Sequence, residues 1–198
     1  MGVNLMVDIE ALASGNYNPV ILSIGACAFV PEHKSQSVYI SHTFTASIDI
    51  DSCIAAGLEV RAKQILWWME QPAETRQAAF EGAASLSHVL SAFGDFCLGV
   101  KPGCVWANPP TFDLAAIRYA WQAVGYGKFS PWSYRAERCF RTYLSSLTRP
   151  QRRHVSEQAG ERTGKHCALS DAIYQARVAG YAMLVKGHLA DETTCDLS

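Results

Sequence analysis

The order of hydrophobic periods along the chain predicts a mixed α/β sandwich. Residues 4–47 carry strand character, most of the remaining chain has helical spacing, and residues 104–107 return briefly to a buried strand. No internal repeat or low-complexity segment interrupts this order. One domain over residues 1–198 is therefore expected, with a tail that frays from Gly187.

The first strand is the apolar run Asn4-Leu5-Met6-Val7-Asp8-Ile9-Glu10, in which Leu5 and Val7 face one way and Met6 the other. A loop rich in turn formers runs from Ala11 to Pro19. Val20–Val30, dense in Val, Ile, Leu, Ala and Phe, reads as a central strand, and Gln36–Ser47 as a third. With a turn at Pro31–Ser35 these two form an antiparallel hairpin, and the first strand pairs antiparallel with the second. Helical spacing then takes over at Glu59–Gln71 and Ala73–Glu81, split by Pro72. Trp67-Trp68 in the former reads as packing over the sheet in preference to base stacking. Ser85–Leu98 is a third helix, with Leu86, Val89, Leu90 and Phe93 on its apolar stripe. Gly99–Gly103 breaks it. Cys104–Ala107 is a short buried strand, Asn108-Pro109-Pro110-Thr111 a turn with Thr111 as N-cap, and Phe112–Val124 an amphipathic helix. Gly125–Tyr134 reads as a loop with room for a short edge strand, and Glu137–Leu147 as a helix. Thr148–Lys165 is polar, carries Arg149, Arg152, Arg153, Arg162 and Lys165 among glycines, and reads as a mobile basic loop. Leu169–Lys186 has helical spacing again.

Composition narrows the function classes. With 198 residues, 49% hydrophobic and 18% charged, the chain has a globular composition. A formal net charge of −1 argues against a protein that coats duplex nucleic acid, so any nucleic-acid contact should be confined to a groove. Seven scattered cysteines without a CxxC pair suit buried thiols in a reducing compartment. No signal peptide and no membrane-spanning run is visible, and the expectation is a soluble, cytoplasmic protein.

Chemistry is concentrated in acids. Period-2 geometry projects Asp8 and Glu10 from one face of the first strand's end. Like charges there are unfavourable unless something positive joins them, and a divalent metal is the usual solution. Asp113, opening a helix, is a second site, although the helix macrodipole alone favours an acid in a first turn. The third is His166-Cys-Ala-Leu-Ser-Asp171. Five helical steps turn about 500°, so these two side chains do not share a face of one regular helix. They converge if His166 lies at the loop-to-helix junction and Asp171 one turn inside. Asp171 also falls on the packing face beside Ala172 and Ile173, where an acid needs a partner. A zinc set from Cys139, His154, His166 and Cys167 lacks the short paired spacings of such sites.

Asp-x-Glu ending a first strand, a lone Asp opening a mid-chain helix, and His-x4-Asp near the C-terminus resemble the DEDDh exonucleases of the DnaQ-like family. Within that family, five stretches together are similar to the exonuclease VIII / Dex-type bacterial and phage group and to related 3′–5′ exoribonucleases. They are Asp8-Ile-Glu10, Pro19–Phe29, Trp67-Trp68, Arg138-Cys-Phe-Arg141-Thr142 and His166–Ala172. The resemblance implies an RNase H-like mixed sheet with an antiparallel three-strand unit and flanking helices. It implies a metal-dependent 3′–5′ exonuclease that releases nucleoside 5′-monophosphates from single-stranded DNA or RNA, in a bacterial or phage-infected cell. Asp8, Glu10, Asp113 and Asp171 resemble the carboxylates that hold two Mg²⁺ or Mn²⁺ ions, and His166 the base that activates water. Ala11, Leu12, Asn108 and Phe112 correspond to positions around the terminal nucleotide. Arg138 and Arg141 suit phosphates, with a salt bridge near Glu137 as the alternative. Ala11 departs from the Thr usual after the Glu, which puts the strength of 3′-end recognition in doubt. Relatives often form dimers or larger rings. The rival reading from another class is a binding module that holds single strands without chemistry.

Overall fold

The structure is a computed structural model that describes residues 2–15, 18–82, 84–164 and 166–195, with side chains through residue 187. The fold is a mixed five-stranded sheet between two helical layers. Strands β1 (Asn4–Ala11), β2 (Ile21–Glu32) and β3 (Ser37–Ser47) form the expected antiparallel unit, and β4 (Cys104–Ala107) adds parallel to β1. A fifth strand, β5 (Glu137–Cys139), pairs parallel with β4, so the order is β3-β2-β1-β4-β5.

The alternation read in the first strand sorts the two cores. Leu5, Val7 and Ile9 face α1 (Ile50–Ala55), α2 (Ala62–Met69), α3 (Ala73–Phe80), α4 (Leu86–Val100) and α5 (Asp113–Ala123). Met6, with Cys27, Phe29 and Trp106, faces α6 (Phe140–Ser145), α7 (Arg149–Ala159) and α8 (Ala168–Cys195). Asp8 and Glu10 share the parity of Met6, so β1 delivers both carboxylates to the face that α8 covers.

Several expectations are corrected. The basic loop at Thr148–Lys165 is helical over Arg149–Ala159. Thr148 caps it, Gln151 completes a capping box, Pro150 sits in the first turn, and Val155 and Ala159 are buried. Lys165 lies outside the described residues. The helix expected over Glu137–Leu147 is divided, because residues 137–139 are recruited as β5 by tertiary pairing. Thr111 does not cap α5; Phe112 holds the N-cap position, without a side-chain hydrogen bond. Helix α2 begins at Ala62, because Glu59 is bridged to Pro19. Helix α1, with Asp49 as its cap, is additional to the expected elements, and α4 runs on to Val100. Of the cysteines, Cys27, Cys53 and Cys97 are buried thiols, while Cys104 and Cys139 are half-buried and Cys167 is exposed. Beyond Gly187 the helical backbone continues to Cys195, and the rest of the expected tail lies outside the described residues.

The closest helix-to-sheet approach fixes the geometry of the acids. A β-carbon on Gly25 would lie 2.1 Å from the backbone of Ala168 and Leu169, and Gly25 pairs with Asp8. The start of α8 thus rests directly on the strand beside Asp8. Gly25→Ala is expected to cost about 3 kcal/mol or more, because backbone must move. Gly99→Ala, where a β-carbon meets nothing within 4 Å, should be neutral or gain up to about 0.5 kcal/mol. Urea unfolding of the two variants checks the contrast; a stable Gly25→Ala protein would refute the close approach.

Candidate active site

The site forms where the C-terminal end of β1 meets the first turn of α8. Carboxylate oxygens of Asp8, Glu10 and Asp171 lie within 4.8 Å of one another. Asp171 is 4% exposed and Glu10 9%, so two of the three are nearly closed off from water. Asp113, from the first turn of α5, is 3% exposed, and its charge acts on both Asp8 and Glu10. Its oxygens accept from the backbone N–H of Ile9 (3.4 Å) and of Asn108 (3.3 Å). The two donors belong to β1 and to the turn after β4, so Asp113 ties the start of α5 to the sheet.

Electrostatics follow from this crowding. Burial, then the charges of Asp113 and Glu10, push Asp8 well above the usual carboxylate range. Burial and Asp171 push Glu10 up to about 8, with Arg162 pulling the other way. Burial raises Asp113 to about 7 against its backbone hydrogen bonds. Arg162, from the connector between α7 and α8, forks onto both oxygens of Asp171, and this pairing raises its own pKa. Gln175 donates to Asp8 Oδ1 at 2.8 Å while its own Oε1 is buried without a hydrogen-bond partner. Clustered carboxylates with this much unbalanced charge fit a hard divalent cation.

His166 lies where the helix-junction geometry requires, two residues before α8, with Asp171 in the first turn. It holds φ 61°, a left-handed conformation that few non-glycine residues adopt, and sets its ring edge-on to Trp67 at 4.7 Å. Trp68 is buried and its indole donates to the Ala11 carbonyl at 3.1 Å, so the pair covers the sheet as expected. Ala11 and Leu12 are buried, and Leu12 exchanges backbone hydrogen bonds with Val20 and Arg61. Phe112 is half-buried, and Asn108 Oδ1 is buried without a partner. Arg138 and Arg141 are exposed. Arg141 acts on Asp113 through its charge, whereas Arg138 donates to the carbonyls of Arg135 and Glu137. The alternative salt bridge does not form with either: Glu137 pairs with Arg118. Cys139, His154, His166 and Cys167 form no ligand group among the described residues. Sequence reasoning missed Gln175, which sits one helical turn after Asp171 on the same face. It also left Arg162 in a mobile basic loop.

Solved structures share this architecture, a mixed sheet with β1 at its centre between two helical layers. The nuclease domain of 3′hExo, a DEDDh family member bound to rAMP, matches with TM-score 0.58 and 16% identity, over 93% of this chain and 92% of that one. E. coli exonuclease I in complex with a dT13 oligonucleotide matches with TM-score 0.65 and 13% identity, over 97% of this chain and 43% of that one. A zinc-bound E. coli exonuclease I–ssDNA complex gives TM-score 0.66, 14% identity, and coverage of 97% and 42%. The chain thus spans about two fifths of the exonuclease I chains it matches. Comparison with curated proteins gives no match. Residues 3–183 match the 3′-5′ exoribonuclease Rv2179c-like domain, and the chain belongs to that family.

The raised pKa of Glu10 has a stability consequence. Folded protein keeps its proton at pH values where the unfolded chain has lost it. That contribution is full below the ordinary Glu range and disappears as pH rises through about 8. In EDTA, wild type should therefore lose melting temperature from about pH 5 to about pH 9 more steeply than Glu10→Gln. Equal slopes in scanning fluorimetry would show that Glu10 ionises normally.

Proposed function

We propose that this exonuclease removes nucleotides singly from the 3′ end of a single strand and releases nucleoside 5′-monophosphates. The observation that carries the reading is the meeting of Asp8, Glu10 and Asp171 within 4.8 Å, in a chain of the exoribonuclease family. Two divalent ions, Mg²⁺ or Mn²⁺, held by these three and Asp113, would supply Lewis-acid stabilisation of the attacking and leaving oxygens. A ring nitrogen of His166 takes the proton of the attacking water as the P–O3′ bond breaks. An imidazole with an ordinary pKa near 6.5 suits that task around neutral pH. Trp67 orients the His166 ring, and Gln175 fixes Asp8. Arg138 and Arg141 offer guanidinium groups to phosphates, while Asn108, Phe112, Ala11 and Leu12 shape the place of the terminal nucleotide.

The family's description favours RNA as the substrate. A cytoplasmic setting is supported by cysteine usage in the sequence, and a homodimer or larger homo-oligomer by the habit of similar proteins. Light scattering tests the latter.

The decisive experiment uses 5′-labelled single-stranded DNA and RNA oligonucleotides of one sequence with Mn²⁺. A ladder shortening from the 3′ end, faster on RNA, is expected for wild type, and none for Asp8→Ala or Asp171→Ala. Intact oligonucleotides that shift on a native gel would instead support a binding module. EDTA should stop the reaction and Mg²⁺ or Mn²⁺ restore it. His166→Ala should lower the rate about 10²-fold or more, with metal binding near wild type. A His166→Ala enzyme of normal rate would remove the histidine from the chemistry.

A further inference from the structure

Arg162 stands apart from the other basic residues of its region. Arg153 pairs with Glu157 along α7 in full solvent, an arrangement that contributes little. Arg162 instead reaches from the connector after α7 into the acidic cluster. Its Nε and Nη2 donate to Oδ1 and Oδ2 of Asp171, both oxygens of a carboxylate that is 4% exposed. Its charge also acts on Asp8 and Glu10. The guanidinium therefore supplies positive charge where the acids need it, on the same carboxylate proposed above to hold a divalent ion.

The two cations cannot use those lone pairs equally well at once. A carboxylate accepts a bidentate Arg with both oxygens, and a hard cation takes oxygen from the same pair. We infer that Arg162 is the resident counter-ion of the metal-free site, which a divalent ion must displace from Asp171 before it is fully bound. The inference rests on the metal-site reading of Asp8, Glu10 and Asp171. It gives the connector a defined role. Arg162 lies four residues before His166, so the pairing ties the segment that carries the histidine to the first turn of α8. Displacement frees that tie, and the released fork has the geometry that suits a phosphate. Arg162 is thus a positioning residue whose partner changes with metal occupancy.

The test titrates Mn²⁺ into the whole chain by calorimetry and records melting temperature with and without Mn²⁺. Three variants are compared with wild type: Arg162→Gln, Arg162→Lys, and Arg153→Gln as a control for net charge. Arg162→Gln should bind Mn²⁺ about tenfold more tightly than wild type, the value for removing a competitor of about 1.4 kcal/mol. Its melting temperature should fall in EDTA and return to the wild-type value in saturating Mn²⁺. Arg162→Lys, a charge without the fork, should lie between, and Arg153→Gln should match wild type. Unchanged or weaker Mn²⁺ binding by Arg162→Gln would overturn the inference, as would a melting loss that persists in Mn²⁺. Equal tightening in Arg153→Gln would also overturn it, since net charge alone would then explain the effect. If Mn²⁺ fails to bind wild type, or binds Asp8→Ala equally well, the metal-site reading fails and the inference with it. Tight wild-type binding without an Arg162 effect leaves the metal site standing and removes only the counter-ion.

Discussion

Asp8, Glu10 and Asp171 bring their carboxylates within 4.8 Å of one another, and the last two are nearly sealed from water. Two unit charges at that spacing repel by on the order of 3–4 kcal/mol at an effective dielectric of about 20. Burial of each charge adds a desolvation cost. The protein answers in two ways. Protons stay on Glu10 up to about pH 8 and on Asp8 well above its usual range, and a guanidinium sits on Asp171. Both answers neutralise charge that a divalent ion would also neutralise. Proton and arginine thus share the neutralisation of the acids, and a divalent ion held as proposed would compete with both.

Such crowding is possible only because the backbone forces it. The first strand brings Asp8 and Glu10 to one face, and α8, more than 150 residues later in the chain, lies on that face. Gly25 lets the helix start press against β2 at the position paired with Asp8. Asp171 and Gln175, one turn apart, then address β1 together, one as a charge and one as an amide donor. On the other side, Asp113 is held by amides of β1 and of the β4 turn, so three strands and two helices share the work. Among the described non-glycine residues Gln36, Lys101 and His166 hold left-handed backbone, each at a cost of about 1 kcal/mol or more, and of these His166 adjoins the helix that carries Asp171.

Features set by short-range period were legible in the sequence. Leu5 and Val7 against Met6, the hairpin of β2 and β3, and His166 at the junction before Asp171 all come from pattern and geometry. The features it hid fall into two kinds. Some signals were present and unread: Thr148 with Gln151 and Pro150 is a capping box with proline in the first turn, yet the arginines around it suggested a loop. Gln175 was likewise available as the i+4 neighbour of Asp171. Other features have no local signal at all. Three residues of β5 alternate too briefly to declare a strand, and only β4 beside them makes one. The fork of Arg162 onto Asp171 spans nine residues across a connector, and no periodicity encodes it.

Ala11 shows how such hidden contacts bear on the position where the sequence resemblance leads one to expect Thr. The position directly after Glu10 is 7% exposed, at a register shift in the pairing of β1 with β2. A hydroxyl there would need a partner or cost about 1–3 kcal/mol. Ala11 avoids that demand, and its carbonyl is already engaged by the Trp68 indole. The strand end is therefore held by α2 from above and by the backbone bonds of Leu12 to Val20 and Arg61 from the side. The end of β1 keeps its position without a side-chain hydroxyl, and with it the positions of Asp8 and Glu10. The same helix α2 places Trp67 against His166, so one pair of tryptophans steadies both the strand that carries two acids and the His166 imidazole.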